Sequence, residues 1–212
     1  MKKRMLRTGF LWLGLFGVWT ALVQTVDVQC VGETGKAVGL ATVNGWFHRL
    51  TGVHMALYTA TDWLGLVPVA VCSAFAALGV KQLLQRKSLV KVDRDILLLG
   101  VYYTLVIACY LVFEMLPVNY RPILIDGRLE ASYPSSTTLL VLSVMPTLVF
   151  QTRRRMKNGR LQKVIGLAVG VFSAGMVLGR LISGVHWLTD IAGAALLSRG
   201  LYCLYTGSVL KA

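Results

Sequence analysis

Arg180, His186 and Asp190 stand in the order Arg-x5-His-x3-Asp near the end of the chain, and upstream lie Arg121-Pro122 and the run Pro134-Ser135-Ser136-Thr137. Four residues apart, His186 and Asp190 would share a helix face, so the carboxylate can hold one ring nitrogen while the other stays free to attack. Histidine is a competent covalent nucleophile, and an adjacent carboxylate fixes its tautomer and stabilises the cation formed on phosphorylation. Arg121 and Arg180 each offer a planar fork of donors that matches phosphoryl oxygens. The transition state of phosphoryl transfer spreads charge over equatorial oxygens, so preorganised cations are its main catalytic resource. Ser135, Ser136 and Thr137 would add backbone N–H groups at a helix N-terminus, where anions bind readily.

Taken singly, each piece has a plainer reading. An interfacial arginine can anchor a helix end at the headgroups, and Pro-Ser-Ser-Thr is an ordinary helix start. His186 with Asp190 could be a structural pair or half of a metal site, but no further His or Cys lies at ligand spacing, so neither a metal nor another cofactor is expected. The ordered combination is far more specific than its members and reads as a phosphate site.

The elements that must position it are membrane helices. The chain has 212 residues, 56% of them hydrophobic and 15% charged, with a mean hydropathy of +0.66, too apolar for an ordinary soluble domain. The net charge of +13 comes mostly from Lys and Arg in short segments between apolar runs, as membrane topology would place them. No basic groove with interleaved aromatics accompanies it, so nucleic acid is not an expected partner. Cys72, Cys109 and Cys203 lie within apolar runs and only Cys30 in a loop, which gives no disulfide framework.

Apolar runs predict an all-α integral membrane protein of six transmembrane helices, a single membrane domain over 1–212. The first span runs from Gly9 to Val26 behind Lys2, Lys3, Arg4 and Arg7 and is read as uncleaved, since no small-x-small site follows. A Gly-rich loop, Asp27 to Gly52, with Trp46, Phe47, His48 and Arg49 near its end, is expected to lie at the interface, so that 1–52 comprises the N-terminal span and an interfacial loop. The second span runs from Val53 to Val80 and holds Asp62, which could face the bundle and pair with Arg180 or Arg49, or equally lie at the interface. The third runs from Ile96 to Met115, the fourth from Thr137 to Phe150 with its helix starting at Pro134 or Ser135, the fifth ends near Ile182, and the sixth covers Ile191 to Leu210. Between the third and fourth, Asp126-Gly127 signals a turn. Four Lys and Arg precede the first span, five lie in Lys81 to Arg94 and six in Arg153 to Lys163, all on one side of such a six-span layout. The positive-inside rule then puts both termini in the cytoplasm and the phosphate site on the extracytoplasmic face. The compact design suggests a bacterial plasma membrane.

The arrangement resembles the type 2 phosphatidic acid phosphatase superfamily, whose motifs are Lys-x6-Arg-Pro, Pro-Ser-Gly-His and Ser-Arg-x5-His-x3-Asp. The corresponding stretches are Glu114-x6-Arg121-Pro122, Pro134-Ser135-Ser136-Thr137 and Gly179-Arg180-x5-His186-x3-Asp190. The resemblance covers about 96–210. It implies a six-helix enzyme that removes phosphate from a membrane lipid through a phosphohistidine at His186, with Asp190 supporting it and Arg121, Arg180, Ser135, Ser136 and Thr137 holding phosphate. Two positions depart from the pattern: Glu114 replaces a phosphate-binding lysine, and Thr137 replaces the histidine that usually protonates the leaving group. Glu114 could pair with Arg121 or face the interface. Loss of a general acid costs a factor of roughly 100 to 10,000 with a poor leaving group. A lipid diphosphate, such as a polyprenyl carrier, would suffer less than a phosphatidic acid-like monoester. His48 and His54 are candidates to supply the missing proton, with interfacial polar residues as the alternative. A lipid phosphotransferase is the nearest rival reading, since a phosphohistidine can pass its group to an alcohol. A non-catalytic protein binding an anionic lipid is the contrasting one.

Overall fold

The computed structural model describes residues 1–210. Eight α-helices account for most of the chain: α1 (Lys2–Thr25), α2 (Ala41–Thr51), α3 (Met55–Leu64), α4 (Leu66–Arg86), α5 (Arg94–Met115), α6 (Ser136–Arg155), α7 (Gly159–Ile182) and α8 (Leu188–Val209). Two short strands, β1 (Gln29–Cys30) and β2 (Ala37–Val38), pair antiparallel between α1 and α2. Gly65 keeps right-handed helical angles, φ −59° and ψ −18°, so α3 and α4 form one rod spanning Met55–Arg86.

Four rods are long and apolar enough to cross a membrane: α1, α3–α4, α5 and α7. The expected fourth and sixth spans, α6 and α8, fold as helices of 20 and 22 residues but fall short on hydropathy. The reason lies in their burial. Thr147 and Gln151 on α6, and Ser198 and Thr206 on α8, are buried, where polar side chains find hydrogen-bond partners and need not face lipid. Thus Gln151 Nε2 donates to Tyr205 Oη at 2.7 Å, and Tyr103 Oη pairs with Thr147 Oγ1 at 2.7 Å.

Hydropathy also misplaced the helix ends. α1 begins at Lys2 rather than Gly9, α5 at Arg94 rather than Ile96, and α8 at Leu188 rather than Ile191; α6 runs on to Arg155. Hydropathy marks the depth of hydrocarbon, whereas helical backbone continues through charged residues at its rim. Nor is Asp27 to Gly52 a plain loop: it holds the β1–β2 hairpin and α2.

α8 is the central helix, and α1 lies antiparallel along it. A small-residue seam sets their approach: a Cβ on Gly200 would fall 2.7 Å from a Leu13 methyl, one on Gly207 2.9 Å from Leu6, and one on Gly9 2.7 Å from Leu204. At the far end of this pair Trp19 Nε1 donates to the Thr189 carbonyl at 3.2 Å. The start of α1 and the end of α8 therefore share one end of the bundle. The α4–α5 and α6–α7 turns join them there through an ion cluster. Arg155 binds Asp95 at 2.9 Å and Asp93 at 3.1 Å, and Arg86 binds Asp93 at 2.8 Å. The Arg86 contact is the main reason the Asp93 carboxyl is held down at about 2. All three basic segments of the sequence gather at this end. The phosphate-site motifs gather at the other.

Candidate functional site

Between α5 and α6 the chain forms a twisted ribbon rather than open coil. Tyr120 bridges Ala131 and Ile125 bridges Arg128, with Asp126 (φ 47°) and Gly127 (φ 73°) making the reversal the sequence signalled. Arg121 and Glu130 face each other across it: the Arg121 amide donates to the Glu130 carbonyl at 3.1 Å, and Arg121 Nε lies 3.0 Å from Glu130 Oε2. The Glu114–Arg121 pairing considered from sequence is thus replaced by Glu130, which the ribbon brings closer than one helix end can.

The segment Gly184 to Trp187 links α7 to α8 and carries His186. Asp190 sits in the first turn of α8, where its carboxylate accepts the Trp187 amide at 2.9 Å, satisfying a helix N-terminal donor. The same oxygen stands 3.5 Å from His186 Nδ1, and Asn119 Nδ2 approaches the other at 3.5 Å. The expected orienting pair is therefore adjacent, held by backbone as well as by side chains. Trp187 Nε1 donates to the Tyr120 carbonyl at 2.7 Å and the Ser135 amide to the Asp190 carbonyl at 3.2 Å, fastening all three motif segments together. Because the Ser135 N–H is spent in this way, the helix N-terminus offers an anion only the amides that follow it.

Arg180, 1% exposed, projects from the last turn of α7. Its Nη2 binds Asp62 at 3.1 Å and also donates to Thr137 Oγ1, and its guanidinium lies 4.7 Å from the centre of the Tyr58 ring. The Arg121 guanidinium lies 5.7 Å from the same ring centre, so Tyr58 sits against both cations. Of the two partners considered for Asp62, Arg180 is the one observed.

Burial pushes the His186 imidazole down to about 4, against the pull of Asp190 and assisted by the charges of Arg121 and Arg180. The ring is neutral at ordinary pH, as a nucleophile must be. Both His186 ring nitrogens, Arg121 Nη1, Arg180 Nε and Ser135 Oγ are buried without a hydrogen-bond partner. Each orphaned group costs on the order of 1–3 kcal/mol. Their concentration in one place fits a site built to receive an anion.

A cavity of about 200 Å³ opens here, lined among others by Tyr110, Glu114, Arg121, Glu130, Ser136 and His186. Tyr110 and Ser136 also line a neighbouring apolar groove of about 320 Å³ bounded by Leu66, Val106, Ile107, Leu139 and Leu140. A polar chamber thus shares a wall with a hydrocarbon-like one, a pairing that suits an amphiphile. His48 and His54 are placed elsewhere. His48 Nε2 donates to the Gly184 carbonyl at 3.1 Å and its ring packs 5.5 Å from Trp187, while exposed His54 lies 2.9 Å from the Thr51 carbonyl. Neither lines the cavity. Four further residues at the site, Tyr58, Tyr110, Asn119 and Glu130, carried no sequence signal beyond the one-turn spacing of Tyr58 and Asp62.

The PAP2 superfamily model matches residues 109–211. The structure is similar to the crystal structure of the first transmembrane PAP2 type phosphatidylglycerolphosphate phosphatase from Bacillus subtilis, with 16% identity, 94% of each chain covered and a TM-score of 0.68. At that identity the likeness speaks for the fold. No curated protein matches the chain. Its apolar helices and its likeness in fold to a transmembrane protein make it an integral membrane protein, and the superfamily supports a lipid phosphatase.

Proposed function

We propose that the protein hydrolyses a lipid phosphate or diphosphate through a phosphohistidine at His186. The observation that carries this reading is the grouping of His186 with its carboxylate neighbour Asp190 and of two guanidinium groups about Tyr58, where His186 and Arg121 line a polar cavity that shares Tyr110 and Ser136 with an apolar groove. Substrate approaches sideways from the bilayer, its chain in the groove and its phosphate among Arg121, Arg180 and the first amides of α6. His186 Nε2 attacks phosphorus while Asp190 holds Nδ1–H and stabilises the developing imidazolium. The P–O bond to the lipid breaks and its electron pair stays with the lipid oxygen. Water then attacks the phosphohistidine, releasing phosphate and neutral His186.

The same reading gives the chain six spans as a single membrane domain, with α6 and α8 crossing inside a ring of more apolar helices. The basic end, with both termini, faces the cytoplasm and the site opens on the extracytoplasmic side of a plasma membrane. Purified protein would be assayed on lipid monophosphates and diphosphates with and without vanadate, and an acid-labile phosphoenzyme trapped from radiolabelled substrate. Turnover blocked by vanadate, with a phosphoenzyme that His186→Gln abolishes, is the expected result. Lipid binding without turnover in the parent would instead mark a non-catalytic binder, and transfer to an added alcohol a transferase.

A further inference from the structure

Charge counting around the cavity exposes a problem for any phosphate substrate. Arg121 and Arg180 are the two cations, and each already has a carboxylate on it: Glu130 on Arg121 and Asp62 on Arg180. Asp190 adds a third acid beside His186 and Glu114 a fourth in the cavity wall. A phosphate dianion entering beside four carboxylates and two guanidinium groups would meet net repulsion unless a proton enters with it.

Among the described residues Glu114 is the cavity carboxylate with no ion pair. It sits in the last turn of α5, which carries no basic residue, and is exposed at the cavity mouth. The other titratable groups in the wall are committed: Glu130 to Arg121, the Tyr133 hydroxyl to Thr20 Oγ1 at 2.8 Å, and His186 to the attack. Tyr110, a phenol at the junction of cavity and groove, is the one rival donor. Thr137 cannot donate to a leaving group usefully, and its hydroxyl is taken by Arg180.

We infer that Glu114 is the acid that protonates the departing lipid oxygen. This inference rests on the phosphohistidine reading above. His186 Nε2 forms a bond to phosphorus, the bond from phosphorus to the lipid oxygen breaks, and that oxygen takes its electron pair and the Glu114 proton to leave as an alcohol. In the second half the carboxylate takes a proton from the attacking water, and phosphate departs with the Glu114 acid restored. The residue that replaces a phosphate-binding lysine thus restores the function that Thr137 removes.

The test varies the leaving group. The rate of phosphoenzyme formation from a short-chain lipid monophosphate, whose alcohol leaves poorly, is compared with that from an aryl phosphate, whose phenolate leaves without a proton, in the parent and in Glu114→Gln. Expected is a fall of roughly 100-fold or more on the lipid and no more than about threefold on the aryl phosphate, with the phosphoenzyme still trapped. Glu114→His should restore part of the lipid turnover and shift the alkaline limb of the kcat–pH profile. Equal losses on both substrates, or none on either, would overturn the assignment, as would Tyr110→Phe producing the selective loss in place of Glu114→Gln. A parent that forms no phosphoenzyme from either substrate overturns the phosphatase reading itself, an outcome distinct from those.

Discussion

His186 illustrates how one residue's environment decides its chemistry. A solvated histidine is partly charged near neutrality, and a charged imidazole cannot attack phosphorus. At 3% exposure, with two guanidinium groups near, His186 loses its proton far more readily than usual. Because its value falls to about 4 in the fold, below the ordinary 6.5, the unfolded chain binds more protons between those limits. The stability that neutral His186 contributes is therefore complete above the unfolded value and is lost as pH drops through this window. In detergent-solubilised protein, ring 15N shifts assigned by comparison with His186→Gln should keep the neutral pattern at pH 5.5 and change only as pH approaches 4. A midpoint near the solvated value would contradict the environment described.

At the scale of elements, the segment joining α7 to α8, which carries His186, must lie against α2 and the α2–α3 junction. Gly184 makes that approach possible. Its φ of +71° is one that side chains rarely adopt, and a Cβ there would sit 2.0 Å from the Gly52 carbonyl oxygen. Neither conflict can be relieved by turning a side chain, since the obstacle is backbone. Gly184→Ala should therefore cut turnover by at least tenfold and lower the thermal midpoint, whereas Gly175→Ala on the open face of α7, where nothing lies within 4 Å, should do neither; equal behaviour of the two would remove Gly184 from this role. The same loop shows what was legible in the sequence. The His186–Asp190 pairing follows from helical spacing, and the Asp126–Gly127 turn from residue type. The Arg121–Glu130 contact does not: a plain hairpin closed at that turn would put Tyr120 opposite Tyr133, yet Tyr120 bridges Ala131, two residues off. That slip depends on packing against Trp187 and the β1–β2 hairpin, where Glu33 N–H reaches the Pro122 carbonyl at 3.1 Å. No local pattern encodes it. Likewise hydropathy marks α1, α3–α4, α5 and α7 as long and apolar enough to cross a membrane and scores α6 and α8 lower, since their polar residues are buried inside the protein.

Over the whole molecule, charge and chemistry are segregated to opposite ends. Basic segments and the Asp93–Asp95–Arg155 cluster occupy one end, the site the other, and the rods between them carry few ionisable groups. Such polarity makes orientation testable with a native residue. Cys30 is exposed in the hairpin at the site end, whereas Cys203 is buried and Cys72 and Cys109 are half-buried within helices. A membrane-impermeant maleimide applied to intact cells should label Cys30 and lose its target in Cys30→Ser. In that background Lys157→Cys, in the α6–α7 turn of the basic end, should stay unlabelled until the cells are opened. Cytoplasmic basic loops predict this ordering, because short Lys- and Arg-rich segments resist translocation. The reverse ordering would turn the molecule over and deliver the phosphate cavity to the cytoplasmic leaflet, leaving the chemistry of His186 intact but requiring a substrate made and consumed on the inner face.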